Sequence, residues 1–263
     1  MLKFASICPH PPLLIPSIGK SYFSKIKPTV RAMNELGNQI KEKQVDTIIV
    51  VSPHGPVQMD AMSVNSTKCL QGDFTQFGDN TSMRIENDID LGASIKRIAD
   101  SRNIPTELVG DGIFLDHGAM VPLFFLKKHV PGVKVVSITF SYLDYQKHFE
   151  FGEVIYEVIE SADKNVALVA SGDLSHRLTP SAPAGYSPEG KIFDELLIDL
   201  LEDNKVGEIL SLDSDFIEEA GECGLRSIII LLGALSNLEY KFEKLSYEGP
   251  FGVGYLVGKF EIM

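Results

Sequence analysis

Four short, largely apolar runs, residues 2–7, 47–51, 133–140 and 166–170, the last three rich in β-branched side chains, read as strands buried on both faces. The segments between them carry apolar positions at helical spacing instead. In residues 28–44, Val30, Met33, Leu36, Gly37 and Ile40 fall on one side and Lys, Glu and Gln on the other, with Pro28 suited to the first turn. Residues 89–101, 118–128, 145–161, 189–202 and 222–236 repeat that pattern, and 240–247 and 254–260 read as two closing strands around the turn Glu248-Gly249-Pro250. Strands alternating with helices predict an α/β fold with a mixed, mostly parallel central β-sheet flanked by helices. No fixed-period repeat and no Gly/Ser-rich or Pro-rich linker divides the chain, so residues 1–263 are expected to form a single domain.

Composition narrows the function classes. At 263 residues, 44% hydrophobic and 23% charged, the chain has the make-up of a globular protein. Its 24 Lys and Arg against 36 Asp and Glu leave a net charge of −12, which repels phosphate backbones and anionic lipid, so neither nucleic acid nor membrane is an expected partner. The longest apolar stretches, such as 227–235, fall short of the roughly 18–20 residues needed to span a bilayer. Residues 1–15 contain one Lys and are interrupted by Pro9, Pro11 and Pro12, unlike a secretory signal, and a cytoplasmic location is expected. Cys8, Cys69 and Cys223 are widely spaced and odd in number, so no disulfide framework is expected.

Candidate chemistry rests on the histidines. His10, His54 and His176 each follow a predicted buried strand by a few residues, and in open α/β sheets ligands bind beyond the carboxyl ends of the strands. Three imidazoles delivered to that edge can converge on one metal such as Fe, Zn, Cu or Ni. Prolines flank His10 and His54, restricting both loops. His117 opens the predicted helix 118–128, where Asp116 is placed to cap it and the helix dipole favours a neutral imidazole. His129 and His148 read as solvent-facing. Two histidines call for a further ligand, and Glu218, Glu219, Glu222 and Cys223 cluster ahead of Gly224. Glu222 would complete the facial triad of non-haem Fe(II) oxygenases, whereas Cys223 would bias the site toward zinc or copper. An equally simple account of the acidic cluster is a helix N-terminus that favours Glu.

The motifs Cys8-Pro9-His10-Pro11-Pro12, Ser52-Pro53-His54-Gly55-Pro56, Asp116-His117-Gly118-Ala119, Ser171-Gly172-Asp173-Leu174-Ser175-His176 and Gly221-Glu222-Cys223-Gly224 stand in this order along nearly the whole chain. Together they resemble the catalytic, LigB-like subunit of class III extradiol ring-cleavage dioxygenases. Residues 183–186, Pro-Ala-Gly-Tyr, are similar to the branch close to Memo-like proteins. The resemblance implies a non-haem metal where His10 and His54 stand, with the third ligand at Glu222 or Cys223. It implies His176 as catalytic acid and base, and His117 as the histidine that contacts substrate and oxygen. In such a site Asp173 and Asp116 are candidates to fix imidazole tautomers, or are turn and cap residues; Arg226 is a candidate partner for a substrate carboxylate or for Glu222. The implied cofactor is Fe(II), with zinc as the alternative. The implied substrates are a small aromatic diol and O2, and a homo-oligomer or an accessory subunit is compatible with the family. Two other readings stay open: a zinc-dependent hydrolase or lyase on the same fold, and a non-catalytic Memo-like metal-binding scaffold.

Overall fold

Every residue of the run at 47–51 and of the run at 166–170 is buried, and adjacent residues point into different cores. Ile49, Val51, Leu168 and Ala170 pack into one hydrophobic cluster, while Ile48, Val50, Ala167 and Val169 pack into the other. This two-sided burial explains why these strands show no polar alternation.

The computed structural model describes residues 1–110 and 112–263. In chain order the elements are β1 (Leu2–Cys8), α1 (Pro16–Gly19), α2 (Lys27–Glu42), β2 (Thr47–Ser52), β3 (Met62–Asn65), β4 (Cys69–Asp73) and β5 (Ser82–Glu86). There follow α3 (Ile89–Ser101), β6 (Thr106–Val109), α4 (His117–Leu126), β7 (Lys134–Thr139), α5 (Tyr145–Ser161), β8 (Val166–Ser171) and α6 (Pro188–Glu202). The chain closes with α7 (Val206–Leu210), α8 (Ser214–Ala220), α9 (Leu225–Leu235), β9 (Tyr240–Glu248) and β10 (Tyr255–Ile262).

The fold is α/β, as the alternation predicts. The main sheet runs in the order β6-β3-β7-β2-β8-β1-β10-β9, and its centre, β7-β2-β8-β1, is parallel. Antiparallel pairs appear toward the edges, where β3 meets β7, β10 meets β1 and β9 meets β10. One core lies under α3, α5, α6 and α9, the other under α2 and α4. No helix among the described residues is long and apolar enough to cross a membrane.

The pattern misses β3, β4, β5 and β6, which are only four or five residues long and mixed in polarity; β6 is the edge strand of the main sheet, β4 and β5 form a separate two-stranded sheet, and β3, though buried, is too short to show a period. It also misses the short helices α1, α7 and α8, and it starts the last long helix too early: α9 begins at Leu225 rather than at 222.

Two histidines are not where the sequence places them. His148, expected in solvent, is fully buried on the inner face of α5 with Phe151, Gly152 and Ile155, a spacing of three, four and seven residues. Its Nδ1 lies 2.7 Å from the Asp144 carbonyl and its Nε2 3.0 Å from that of Ser141. His129 is half-buried, with its ring against Gly37: a Cβ there would come within 2.5 Å of the His129 Cδ2.

Because the central strands are parallel, their carboxyl ends share one edge. Cys8 pairs with Ser171 and Val51 with Ala170 in the ladder, and the Gly172 N–H continues the pairing by donating to the Cys8 carbonyl at 3.0 Å. His10, His54 and Asp173 each stand two residues beyond a strand end, so one level of the sheet delivers all three.

Candidate metal centre

His10 is 1% exposed and held at two points. Its backbone N–H donates to Asp173 Oδ1 at 2.9 Å, and its Nδ1 lies 3.0 Å from Ser171 Oγ. The Ser171 hydroxyl donates its own proton to the Gly118 carbonyl at 2.5 Å. Ser171 must therefore accept from His10, which puts the imidazole proton on Nδ1 and leaves a bare lone pair on Nε2.

That lone pair faces His54 Nε2 at 3.0 Å and Cys223 Sγ at 3.6 Å. Ligand atoms of His10, His54 and Cys223 all lie within 4.8 Å of one another. Burial holds His10 well below the ordinary imidazole pKa, reinforced by the neighbouring rings of His54, His117 and His176; burial likewise lowers His54. Two neutral imidazole nitrogens this close, beside a thiol, need either a shared proton or a cation between them, and the N,N,S donor set suits a small transition metal. Burial raises the Cys223 thiol well above its ordinary pKa, with Asp173 and Glu222 adding to the effect, so a metal must displace its proton. The Asp173 N–H, 3.3 Å from the sulfur, is placed to stabilise the resulting thiolate.

Glu222 is placed differently. Its Oε2 accepts the Leu225 N–H at 2.5 Å, holding the first turn of α9, and burial pushes its carboxyl up to about 7. The structure thus brings Cys223 into the cluster while the neighbouring carboxylate is engaged at the helix start.

Asp116 caps α4 by accepting from Ala119 N at 3.1 Å, and its Oδ1 also accepts from Ser52 Oγ at 2.5 Å. The Ser52 hydroxyl in turn accepts the His54 N–H at 3.3 Å, so Asp116 steadies the His54 loop through its backbone rather than through the ring. His117 stacks on His54 with centroids 4.5 Å apart and meets Phe77 edge-on at 5.3 Å.

His176 stands on the other side of Asp173, whose Oδ2 lies 3.9 Å from His10 Nε2 and 4.0 Å from His176 Nε2. Burial pushes the Asp173 carboxyl up to about 7. The His176 Nδ1 lies 3.1 Å from the Gly221 carbonyl, which can only accept, so Nδ1 carries the proton and Nε2 presents a lone pair. The side chain is 26% exposed, and burial lowers its pKa despite the Gly221 bond. Arg226 does not pair with Glu222 within 4.0 Å. Its Nε donates to the Ser141 carbonyl at 3.1 Å, and its guanidinium lies over the rings of Tyr145 and Tyr142, 4.7 Å and 5.6 Å from the centroids.

Sequence reasoning misses Ser171, Ser52 and Phe77. The two serines end strands and open two of the motifs, a position that could have marked them as supports of the site.

The two arms of the site meet at a pair of glycines. A Cβ on Gly172 would come within 2.1 Å of Gly224 Cα, so no larger residue lets the β8 loop and the α8–α9 hinge approach this closely. Gly172→Ala is expected to lower stability by about 1–3 kcal/mol and to separate Cys223 from His10. Urea unfolding together with metal titration checks this; wild-type values for both would refute it.

Two histidines and a cysteine converging at the carboxyl edge of a parallel sheet, with further imidazoles beside them, define a candidate metal-dependent α/β protein. Residues 4–258 match the family of the catalytic LigB subunit of aromatic ring-opening dioxygenase, and the chain belongs to that family. It is 38% identical over 264 residues to the protein CA_C1420 of Clostridium acetobutylicum, covering 97% of this chain and 56% of that relative, so the chain spans little more than half of that relative's length. It is 28% identical over 227 residues to a 3,4-dihydroxyphenylacetate 2,3-dioxygenase of Escherichia coli, covering 78% of this chain and 79% of the relative. The crystal structure of the uncharacterized protein JW3007 from Escherichia coli K12 has the same fold, with a TM-score of 0.67 at 17% identity over 98% of this chain and 99% of that one.

Proposed function

We propose that this protein is a non-haem, Fe(II)-dependent extradiol dioxygenase that opens the ring of a catechol-type substrate with O2. The observation that supports this most directly is the convergence of the Nε2 atoms of His10 and His54 beside a third imidazole, His176, whose own Nε2 lone pair is left free. Bound by His10, His54 and Cys223 or Glu222, Fe(II) would supply the path by which electron density passes from the aromatic diol to O2. Both oxygen atoms end in the ring-opened product, so the reaction consumes no external reductant.

The chain's residues handle position and protons. His176 takes a proton from a substrate hydroxyl at Nε2, and Nδ1 stays pinned to Gly221 while it does so. Asp173, within 4.0 Å of that Nε2, stabilises the imidazolium that results. His117, backed by Phe77 and His54, offers a flat wall and a hydrogen-bonding ring where substrate and O2 meet.

The sulfur of Cys223 favours a second reading. A thiol in the donor set suits zinc, and a zinc site beside His176 fits a hydrolase or lyase, or a Memo-like metal-binding scaffold.

Elemental analysis of protein purified without oxygen, followed by O2 uptake with a panel of catechols after Fe(II) addition, separates the readings. The expected result is iron near one per chain, with O2 uptake and a yellow ring-opened product. Zinc or no metal, together with no uptake after Fe(II) loading, would overturn the dioxygenase reading in favour of the second.

A further inference from the structure

The segment that carries His176 is tied down at each successive N–H. Leu174 N donates to the Gly254 carbonyl at 2.8 Å, His176 N to that of Gly221 at 3.0 Å and Arg177 N to the Ser175 hydroxyl at 3.0 Å. The remaining tie, at Ser175 N, goes to an ionisable side chain: Asp194 Oδ1 of α6 accepts it at 2.8 Å. Asp194 and Ser175 are both fully buried, and the other oxygen of Asp194 accepts from Tyr247 of β9 at 2.7 Å. The carboxylate also fits a gap left by glycine, since a Cβ on Gly254 would come within 2.1 Å of Asp194 Oδ2.

A fully buried carboxylate carries a desolvation cost that an apolar residue would not. Here one oxygen anchors the carboxylate and the other holds the segment. Oδ2 is anchored to the sheet through Tyr247, and Oδ1 grips the N–H of Ser175, the residue before His176. The Gly221 carbonyl accepts from both the backbone and the ring of His176, so a shift of Ser175 that moves His176 carries Nδ1 away from the contact that sets its tautomer.

We propose that Asp194, anchored by Tyr247, is a positioning residue that aims His176 and fixes its Nδ1–H tautomer by holding the Ser175 N–H. This rests on the reading of His176 as the proton acceptor.

The test uses Asp194→Ala, Asp194→Asn and Tyr247→Phe on the full chain, with two readouts. The first is 15N NMR of the histidine side chains in the metal-free protein. Wild type and Asp194→Asn, whose Oδ1 still accepts from Ser175, should show His176 protonated at Nδ1, whereas Asp194→Ala should show a mixture of tautomers. The second is turnover after Fe(II) loading with the best catechol of the panel. Asp194→Ala should lower kcat by about 30–100-fold, the scale of a small misplacement of a catalytic group, with KM within about 2-fold and metal content unchanged. Asp194→Asn should recover most of that loss, and adding Asp194→Ala to His176→Ala should cost nothing further.

Tyr247→Phe keeps the carboxylate and removes only its anchor, so it serves where Asp194→Ala does not fold; a tautomer mixture is expected there too. An unchanged tautomer in both Asp194→Ala and Tyr247→Phe would overturn the proposal, as would a loss that adds fully to that of His176→Ala. If His176→Ala itself leaves turnover intact, the proton-acceptor reading fails, and the NMR result still decides whether Asp194 orients the ring.

Discussion

Replacing His10 and His54 together by alanine is expected to yield a folded protein that no longer holds a stoichiometric transition metal. Each ring supplies one of the two nitrogens that meet 3.0 Å apart, and neither forms part of the two hydrophobic cores. Loss of a residue that merely orients a ligand costs about 10–100-fold in metal affinity, so loss of two ligands should cost well over that range. Removing His10 also strips Ser171 Oγ of a donor and leaves a small polar void, which should lower thermal stability modestly. Elemental analysis with circular dichroism checks both parts, and metal retained at one per chain would refute the assignment. The same measurement distinguishes the adjacent candidates for the third ligand. Cys223→Ser is expected to lose metal, because Cys223 lies in the cluster; Glu222→Gln is expected to keep it and to lose about 1 kcal/mol, because that carboxylate holds the start of α9.

His176→Ala should leave metal content unchanged while kcat falls by about 10²–10⁴-fold, the usual contribution of a positioned acid or base. His176 is outside the three-residue cluster, so its removal takes away a proton acceptor and no ligand. The pH dependence follows from its environment. Burial disfavours the imidazolium, so its pKa lies below the ordinary 6.5 and the ring is neutral, ready to accept a proton, at neutral pH. Activity should therefore decline only as pH drops below about 6.5, when Nε2 is protonated before substrate arrives. In the alanine variant that acid limb should disappear from the residual rate. Turnover equal to wild type, or an unaltered acid limb, would remove His176 from the role.

The chain pattern makes much of this fold legible. Largely apolar runs mark β1, β2, β7 and β8, the last three rich in β-branched residues, because a parallel sheet covered on both faces favours apolar residues along both sides of each strand. The same pattern is silent on β3 to β6, which are four or five residues long, polar in part, and for β4 to β6 open to solvent at several positions. His148 shows the opposite failure. Its spacing from Phe151, Gly152 and Ile155 places it on the inner face of α5, yet a lone polar residue reads as exposed unless its partners are known. Those partners are main-chain carbonyls, which no side-chain pattern displays.

Chain order and local hydrophobicity suffice to put histidines just past strand ends and to bring those ends to one edge of a sheet. Long-range packing had to settle that Cys223 rather than Glu222 lies beside His10, that Asp116 steadies a loop and not a ring, and that Asp194 reaches the N–H of Ser175 beside His176. Glu222 and Cys223 are adjacent in sequence, and which of them faces the cluster depends on the turn between α8 and α9 and on the close approach of Gly172 to Gly224. A contact between residues 163 or 213 positions apart, such as that of His10 with Asp173 or with Cys223, depends on how the whole chain packs, which local pattern does not encode.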